Sequence, residues 1–259
     1  MPLLKTIFET PLTVLPGEQL EVGDREARVI GRGGLVKSIT KVRQIMGKPA
    51  LVLPRSCMPQ CVKADTPYPR TEAITPMLWD WLCAQRPYIA DRNECELDES
   101  LLQLLPYVTI AARLPGQKTR YFTYRRGVQG NESRLHGAIS LGIGGHIDHA
   151  PTETVPLPML LQHEVAREIQ EETGYVVQGQ VRFTHFIVDW TNPVGRVHLG
   201  LHALLELTRQ EDIDAVCKNH EADVITESTW ATYEELMPSR YYEMENWTKA
   251  VMGLLAGRP

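Results

Sequence analysis

No apolar run in this 259-residue chain approaches the roughly 18 residues a membrane helix needs, so no membrane span is expected. Long runs of Lys and Arg are also missing, and the net charge is −5. Broad nucleic-acid binding needs a field of basic residues and is therefore not expected. An anionic substrate would have to be met by local arginines or by bound cations. Cysteine is sparse: the five are Cys57, Cys61, Cys83, Cys95 and Cys217. Their number is odd, and Cys57 and Cys61 stand four apart rather than as C-x-x-C, so free thiols in a reducing cytosol are expected. Met1–Lys5 lacks a charged leader with an apolar stretch behind it, so no signal peptide is expected and the location reads as cytoplasmic. There is no internal repeat and no low-complexity tract.

What is present is an ordinary globular composition, 43% hydrophobic and 23% charged, in a chain long enough for one large domain with an added lobe. Residues 1–100 read as an N-terminal elaboration, with short strands at Arg25–Ile30 and Ala50–Leu53 and a helix at Thr75–Gln85. Prolines 54, 59, 67, 69 and 76 cut this part into short pieces. Residues 101–259 read as the core. Strands are expected at Tyr107–Leu114, Thr119–Tyr124, Ile139–Ile143, Arg182–Trp190, Val197–Leu207 and Thr226–Thr232. Helices are expected from Pro158 to Thr173 and over Tyr242–Leu255, with a turn at Asn192–Gly195. This mixture predicts an α/β sandwich.

The chemistry is concentrated in Gly144-Gly145-His146 and in the segment Glu164–Tyr175. At about 100° per residue, Leu161, Val165 and Ile169 form a packed helix face. Glu164, Glu168, Glu171 and Glu172 share one arc, and Glu168 and Glu172 overlap the apolar edge. Like charges three and four apart repel, and a carboxylate turned to the core is costly unless paired. A divalent cation, Mg²⁺ or Mn²⁺, relieves both problems. Gly174 is placed to end the helix in the left-handed conformation.

Arg167-Glu168-Ile169-x-Glu171-Glu172-x-Gly174-Tyr175 matches R-E-U-x-E-E-x-G-U, with U apolar. At average composition a chance match in such a chain is on the order of 1 in 10⁵, so the segment is identified by resemblance with the Nudix box. Gly145 resembles the first glycine of that box. Eight residues around Ala150–Pro158 are additional to the pattern, and Pro151 stands where its early Glu belongs. Glu153 and Glu164 are the available substitutes, neither in register. Leu51–Arg55, Leu105–Val108, Tyr124–Arg126, Glu132 with Arg134 and Leu135, Ser140–Ile147 and Glu243-x-Glu245-x-Trp247 resemble a bacterial phosphoesterase-type subfamily of the same superfamily.

The resemblance implies a Nudix-type α/β/α sandwich with a mixed sheet and an N-terminal elaboration. It implies hydrolysis of a phosphoanhydride bond in a small nucleotide-like substrate, a nucleoside diphosphate linked to another group. Glu168, Glu171, Glu172 and the carbonyl of Gly145 are the expected metal ligands, and Arg167 is expected to orient a carboxylate. Glu227 is the candidate general base, with Glu221 a second. Arg125, Arg126, Arg134 and His146 are candidate substrate contacts. His198-x3-His202 has the spacing of a helical zinc pair but falls in a strand-like stretch, so zinc is not expected. Gly31–Ser38 lacks the G-K-[ST] ending of a phosphate loop and reads as a turn. Trp79, Trp81, Trp190, Trp230 and Trp247 read as core. A homodimer is compatible, since the fold often dimerises. The other reading is a Nudix-fold sensor that binds a nucleotide without cutting it.

Overall fold

The computed structural model describes residues 5–8, 19–22, 26–31, 35–45, 47–127, 135–216 and 225–256. Glu132, Arg134, Cys217, His220 and Glu221 lie outside them. The first four strands, β1 (Lys5–Phe8), β2 (Gln19–Val22), β3 (Glu26–Ile30) and β4 (Val36–Ile45), make a separate antiparallel sheet in the order β1-β4-β3-β2. Val36–Ser38, expected in a turn, instead begins β4. The β-branched run of that strand (Val36, Ile39, Thr40, Val42) suits extended backbone.

The large sheet takes strands from both sides of residue 100. It contains β5 (Pro49–Pro54), β6 (Arg70–Ala73), β7 (Tyr88–Asp91), β8 (Leu101–Ala112), β9 (Arg120–Arg126), β10 (Ile139–Ser140) and β11 (Gly142–Ile143). The remaining members are β12 (Arg182–Val188), β13 (His198–Leu207) and β14 (Ile225–Thr232). Its main path is β10-β9-β8-β13-β12-β6. The β8–β13 pairing is parallel and the other strand pairings among the described residues are antiparallel, so the sheet is mixed. The twelve-residue β8 is its axis. One edge of β8 runs along β13, and the other is shared in turn by β5, β11 and β9.

Alternation along β8 divides the core. Leu102, Leu104, Val108 and Ile110 join the larger apolar cluster, beneath α4 (Leu157–Thr173). Tyr107 and Ala111 point to the other face, beneath α8 (Asn246–Leu255). The architecture is therefore an α/β/α sandwich. Shorter helices fill its connections: α1 (Gln60–Lys63), α2 (Pro76–Ala84), α3 (Arg92–Cys95), α5 (Pro193–Arg196), α6 (Gln210–Val216) and α7 (Tyr233–Leu236). Among the described residues no helix is long and apolar enough to cross a membrane.

Three expected elements are built differently. Ile139–Ile143 is not one strand: β10 pairs with β9, and β11 crosses to pair with β8. Asn192–Gly195 is not a simple turn, because the Asn192 side chain caps the Gly195 amide and opens α5. The C-terminal helix does not run unbroken from Tyr242. A 3₁₀ turn at Tyr241–Glu243 is followed by Met244, which bridges to Ile139, and by Glu245, which is turned into the sheet, before α8 begins.

Candidate active site

Helix α4 forms where the periodicity places it. Proline occupies its first turn, and Gly174 ends it at φ +73°, where a side chain would be strained. Leu160, Leu161, Val165 and Ile169 are buried against the sheet. The four carboxylates differ sharply in environment. Glu164 is 3% exposed, Glu168 13% and Glu171 56%, and Glu172 is buried at the C-terminal end of the helix.

Arg167 ties the first three together. Its guanidinium donates to Glu164 Oε2 at 2.6 Å, to Glu168 Oε1 at 2.6 Å and to Glu171 Oε2 at 2.7 Å. Burial works against the guanidinium, but these three carboxylates hold its pKa above the ordinary arginine range. Burial pushes the Glu168 carboxyl above the usual range, with Arg167 pulling the other way. Of the two substitutes for the early box Glu, Glu153 is exposed on the added loop, whereas Glu164 is buried and paired to Arg167. His149, also on the added segment, reaches Glu164 Oε1 at 3.4 Å.

The glycine segment lies against this helix. A Cβ on Gly144 would strike the Pro106 carbonyl, and one on Gly145 would strike the Glu168 carboxylate. Glycine at both positions lets the backbone cross β8 and come up beside the acid. Gly145, Glu168, Glu172 and Arg167 line one cavity of about 910 Å³. His146, Arg126, Lys48, Arg92, Asp189 and Trp247 line it too.

Other expected contacts are distributed by the pleat of β9. Arg126 lines the cavity and donates from Nε to the buried Glu245 Oε2 at 2.6 Å. Burial opposes its charge, and Glu245 more than restores it. Arg125, one residue earlier, points to the opposite face, where it pairs with Glu227 at 2.9 Å and with Glu243. Glu227 sits at φ +47° in a bulge of β14, is 71% exposed, and does not line the cavity. The structure thus brings Glu168, Glu172, Arg167, Gly145, Arg126 and His146 together and leaves Arg125 and Glu227 outside. Glu171 remains on the outer flank, held by Arg167.

Two groups escaped the sequence reading. Asp189 is 1% exposed, and both its oxygens are bonded, to Thr191 and to the side-chain amides of Asn192 and Asn246. This clamp ties the β12 end to α8. The second group follows the double glycine, where His146 Nε2 meets His198 Nε2 at 3.3 Å and Glu96 is close by. Burial, with Arg92 nearby, holds the His146 imidazole well below its ordinary range. Among the tryptophans, Trp79 stacks on Phe183 while Trp81 and Trp230 pack edge-on to Phe186 and Phe122, all three against the core, and Trp190 is buried beneath the Arg55 guanidinium. Trp247 departs from that pattern: it packs edge-on to Tyr107 and to His198 and also faces the cavity.

No family model matches the chain. Protein YmaB of Bacillus subtilis (strain 168) is 29% identical over 167 residues, covering 63% of this chain and 76% of that protein. The crystal structure of Tm1382, provisionally classed as a Nudix hydrolase, superposes with a TM-score of 0.58 at 26% identity, over 80% of this chain and 98% of that one. A NUDIX hydrolase from Alicyclobacillus acidocaldarius overlaps more loosely, with a TM-score of 0.43 at 12% identity over 61% of this chain and 92% of that one. With the box residues on α4 and the Tm1382 superposition taken together, the chain has the Nudix fold and resembles the Nudix hydrolase superfamily.

Proposed function

We propose that this chain is a divalent-metal-dependent pyrophosphohydrolase that cuts a phosphoanhydride bond in a nucleoside diphosphate-linked small molecule. One observation carries the reading: the Glu168 carboxylate lies against the Gly145 backbone, and both line, with Glu172, a cavity large enough for a nucleotide. The donor set is all oxygen and fits Mg²⁺ or Mn²⁺, and the glycine leaves the close approach that a side chain would fill. A bound cation of that kind supplies charge neutralisation on the phosphate oxygens and a more acidic attacking water.

The chain's own groups do the rest. Arg167 fixes the Glu168 carboxylate by bridging it to Glu164 through one guanidinium nitrogen, which would orient that ligand for a metal. Lys48, Arg92 and Arg126 line the cavity and offer positive charge to phosphates. Trp247 offers an aromatic edge to a base or sugar. Glu171, outside the cavity lining, acts through its pairing with Arg167. A cytoplasmic location agrees with such a substrate and with the free thiols of Cys57, Cys61, Cys83 and Cys95.

The test is turnover with Mg²⁺ or Mn²⁺ on nucleoside triphosphates, dinucleoside polyphosphates, nucleotide sugars, ADP-ribose and NADH, repeated with Glu172→Gln. Cleavage by the parent that falls about 100- to 1000-fold in the variant is expected. Binding of one compound by both proteins with no product from either would overturn the hydrolase in favour of a sensor.

A further inference from the structure

We infer that the cavity holds a second, chemically different cation site, built from His146, His198 and Glu96 rather than from the acidic helix, and suited to a transition metal such as Zn²⁺. It does not depend on the hydrolase reading, because none of its ligands belongs to the acidic helix.

The three groups come from unrelated parts of the chain. Glu96 follows α3, His146 follows the double glycine, and His198 opens β13. One ligand atom from each lies within 4.8 Å of the others. The two imidazole Nε2 atoms are 3.3 Å apart, and His198 Nε2 is 3.6 Å from Glu96 Oε1. Two nitrogens on a tetrahedral Zn²⁺ at roughly 2.0–2.1 Å are separated by about 3.3 Å, so the imidazoles already stand at metal-bridging distance.

The surroundings set the ligands as well. His198 Nδ1 donates to the Val194 carbonyl at 2.7 Å, which leaves the Nε2 lone pair aimed at the other two groups. A backbone acceptor behind a metal-binding imidazole is the usual outer partner. Glu96 Oε1 is held from behind by Gln103 Nε2 at 3.3 Å and by Arg92 Nε at 3.5 Å. Trp247 closes one side of the His198 ring. His146 and His198 both line the cavity, so a fourth position opens into it. Two histidines, one glutamate and an open position make a donor set of the catalytic zinc kind rather than a closed structural one. Arg92 and Lys48 on the same wall favour water or an anionic oxygen in that position.

Sequence spacing concealed this arrangement. His198 pairs across space with His146, not along its own strand with His202, which instead bonds Thr109 Oγ1 at 3.1 Å.

The experiment is metal binding by the full chain. Protein stripped with a chelator is titrated with Co²⁺ and followed by its visible spectrum. Zn²⁺-loaded protein is then measured by X-ray absorption. The expected result is one low-coordinate Co²⁺ per chain, displaced by Zn²⁺, with two imidazoles in the Zn²⁺ shell. His146→Asn and Glu96→Gln should each weaken binding at least about 100-fold, as much as or more than loss of an outer partner would. The double variant Glu168→Gln/Glu172→Gln should keep the Co²⁺ spectrum. Circular dichroism checks each fold, and Glu96→Gln, at a partly exposed position, is the variant least able to act through unfolding. No imidazole in the Zn²⁺ shell, unchanged binding in both His146→Asn and Glu96→Gln, or loss of the Co²⁺ signal only in the double acid variant would each overturn the site.

Discussion

Arg167 stands out among the residues of α4, since it holds three carboxylates at once. On the proposed reading it acts through Glu168 rather than on a substrate. Arg167→Ala should therefore raise the Mg²⁺ concentration needed for half-maximal rate by about 10- to 100-fold, with a smaller change in the rate at saturating metal. A titration of rate against Mg²⁺ separates that outcome from a loss of substrate binding, which would leave the metal curve in place. At this scale the sequence was readable wherever partners lie within one helix. The Arg167 contacts follow from spacings of one, three and four. The burial of Glu164 was hidden by the added loop, which breaks the register of the box. The Arg125/Arg126 division was available in principle, because neighbours on a strand face opposite ways. The meeting of Glu96, His146 and His198 left no local signal at all.

Helix α4 was legible because its period, its proline-bearing start and its glycine stop all agree. Gly174→Ala forces a side chain into φ +73° and should cost about 1–2 kcal/mol, read as a lower denaturant midpoint with an unchanged slope. A variant of wild-type stability would mean that the helix end relaxes. Short elements were harder to read. The edge strands β6 (Arg-Thr-Glu-Ala) and β7 (Tyr-Ile-Ala-Asp) have too few residues to establish alternation, and they exist because β12 and β5 offer open edges. The division of Ile139–Ile143 between β9 and β8 is likewise a tertiary decision. It lets the double-glycine segment leave the sheet directly toward α4. The break before α8 has the same origin, since Glu245 is worth more inside the sheet than as a helix surface residue.

Across the whole molecule, the buried Glu245 joins β9, β10 and β8 to the C-terminal helix: it accepts from Arg126, from Ser140 at 2.7 Å and from Tyr107 at 2.8 Å. Burial, and then Glu245 itself, keep the Tyr107 hydroxyl protonated well above its ordinary range, so it remains a donor. Glu243, two residues earlier, pairs with Arg125 at the surface. The two acids should behave very differently. Glu245→Ala leaves Arg126 uncompensated and should cost about 3–5 kcal/mol. Glu243→Ala should cost no more than about 1 kcal/mol. Denaturant unfolding of both variants measures the contrast, and equal losses would refute it. An α/β sandwich was legible from the strands and helices, and the α/β/α plan from the resemblance of the box, whereas the way the tail is stitched to the sheet was not.

That stitching reaches into function. Met244, Asn246 and Trp247 face the same hollow as Glu168 and Glu172. A lesion that unlatches the tail would leave every acid on α4 in place and still dismantle the vessel around them. Such a defect would be scored at the bench as enzymatic, when its origin is architectural.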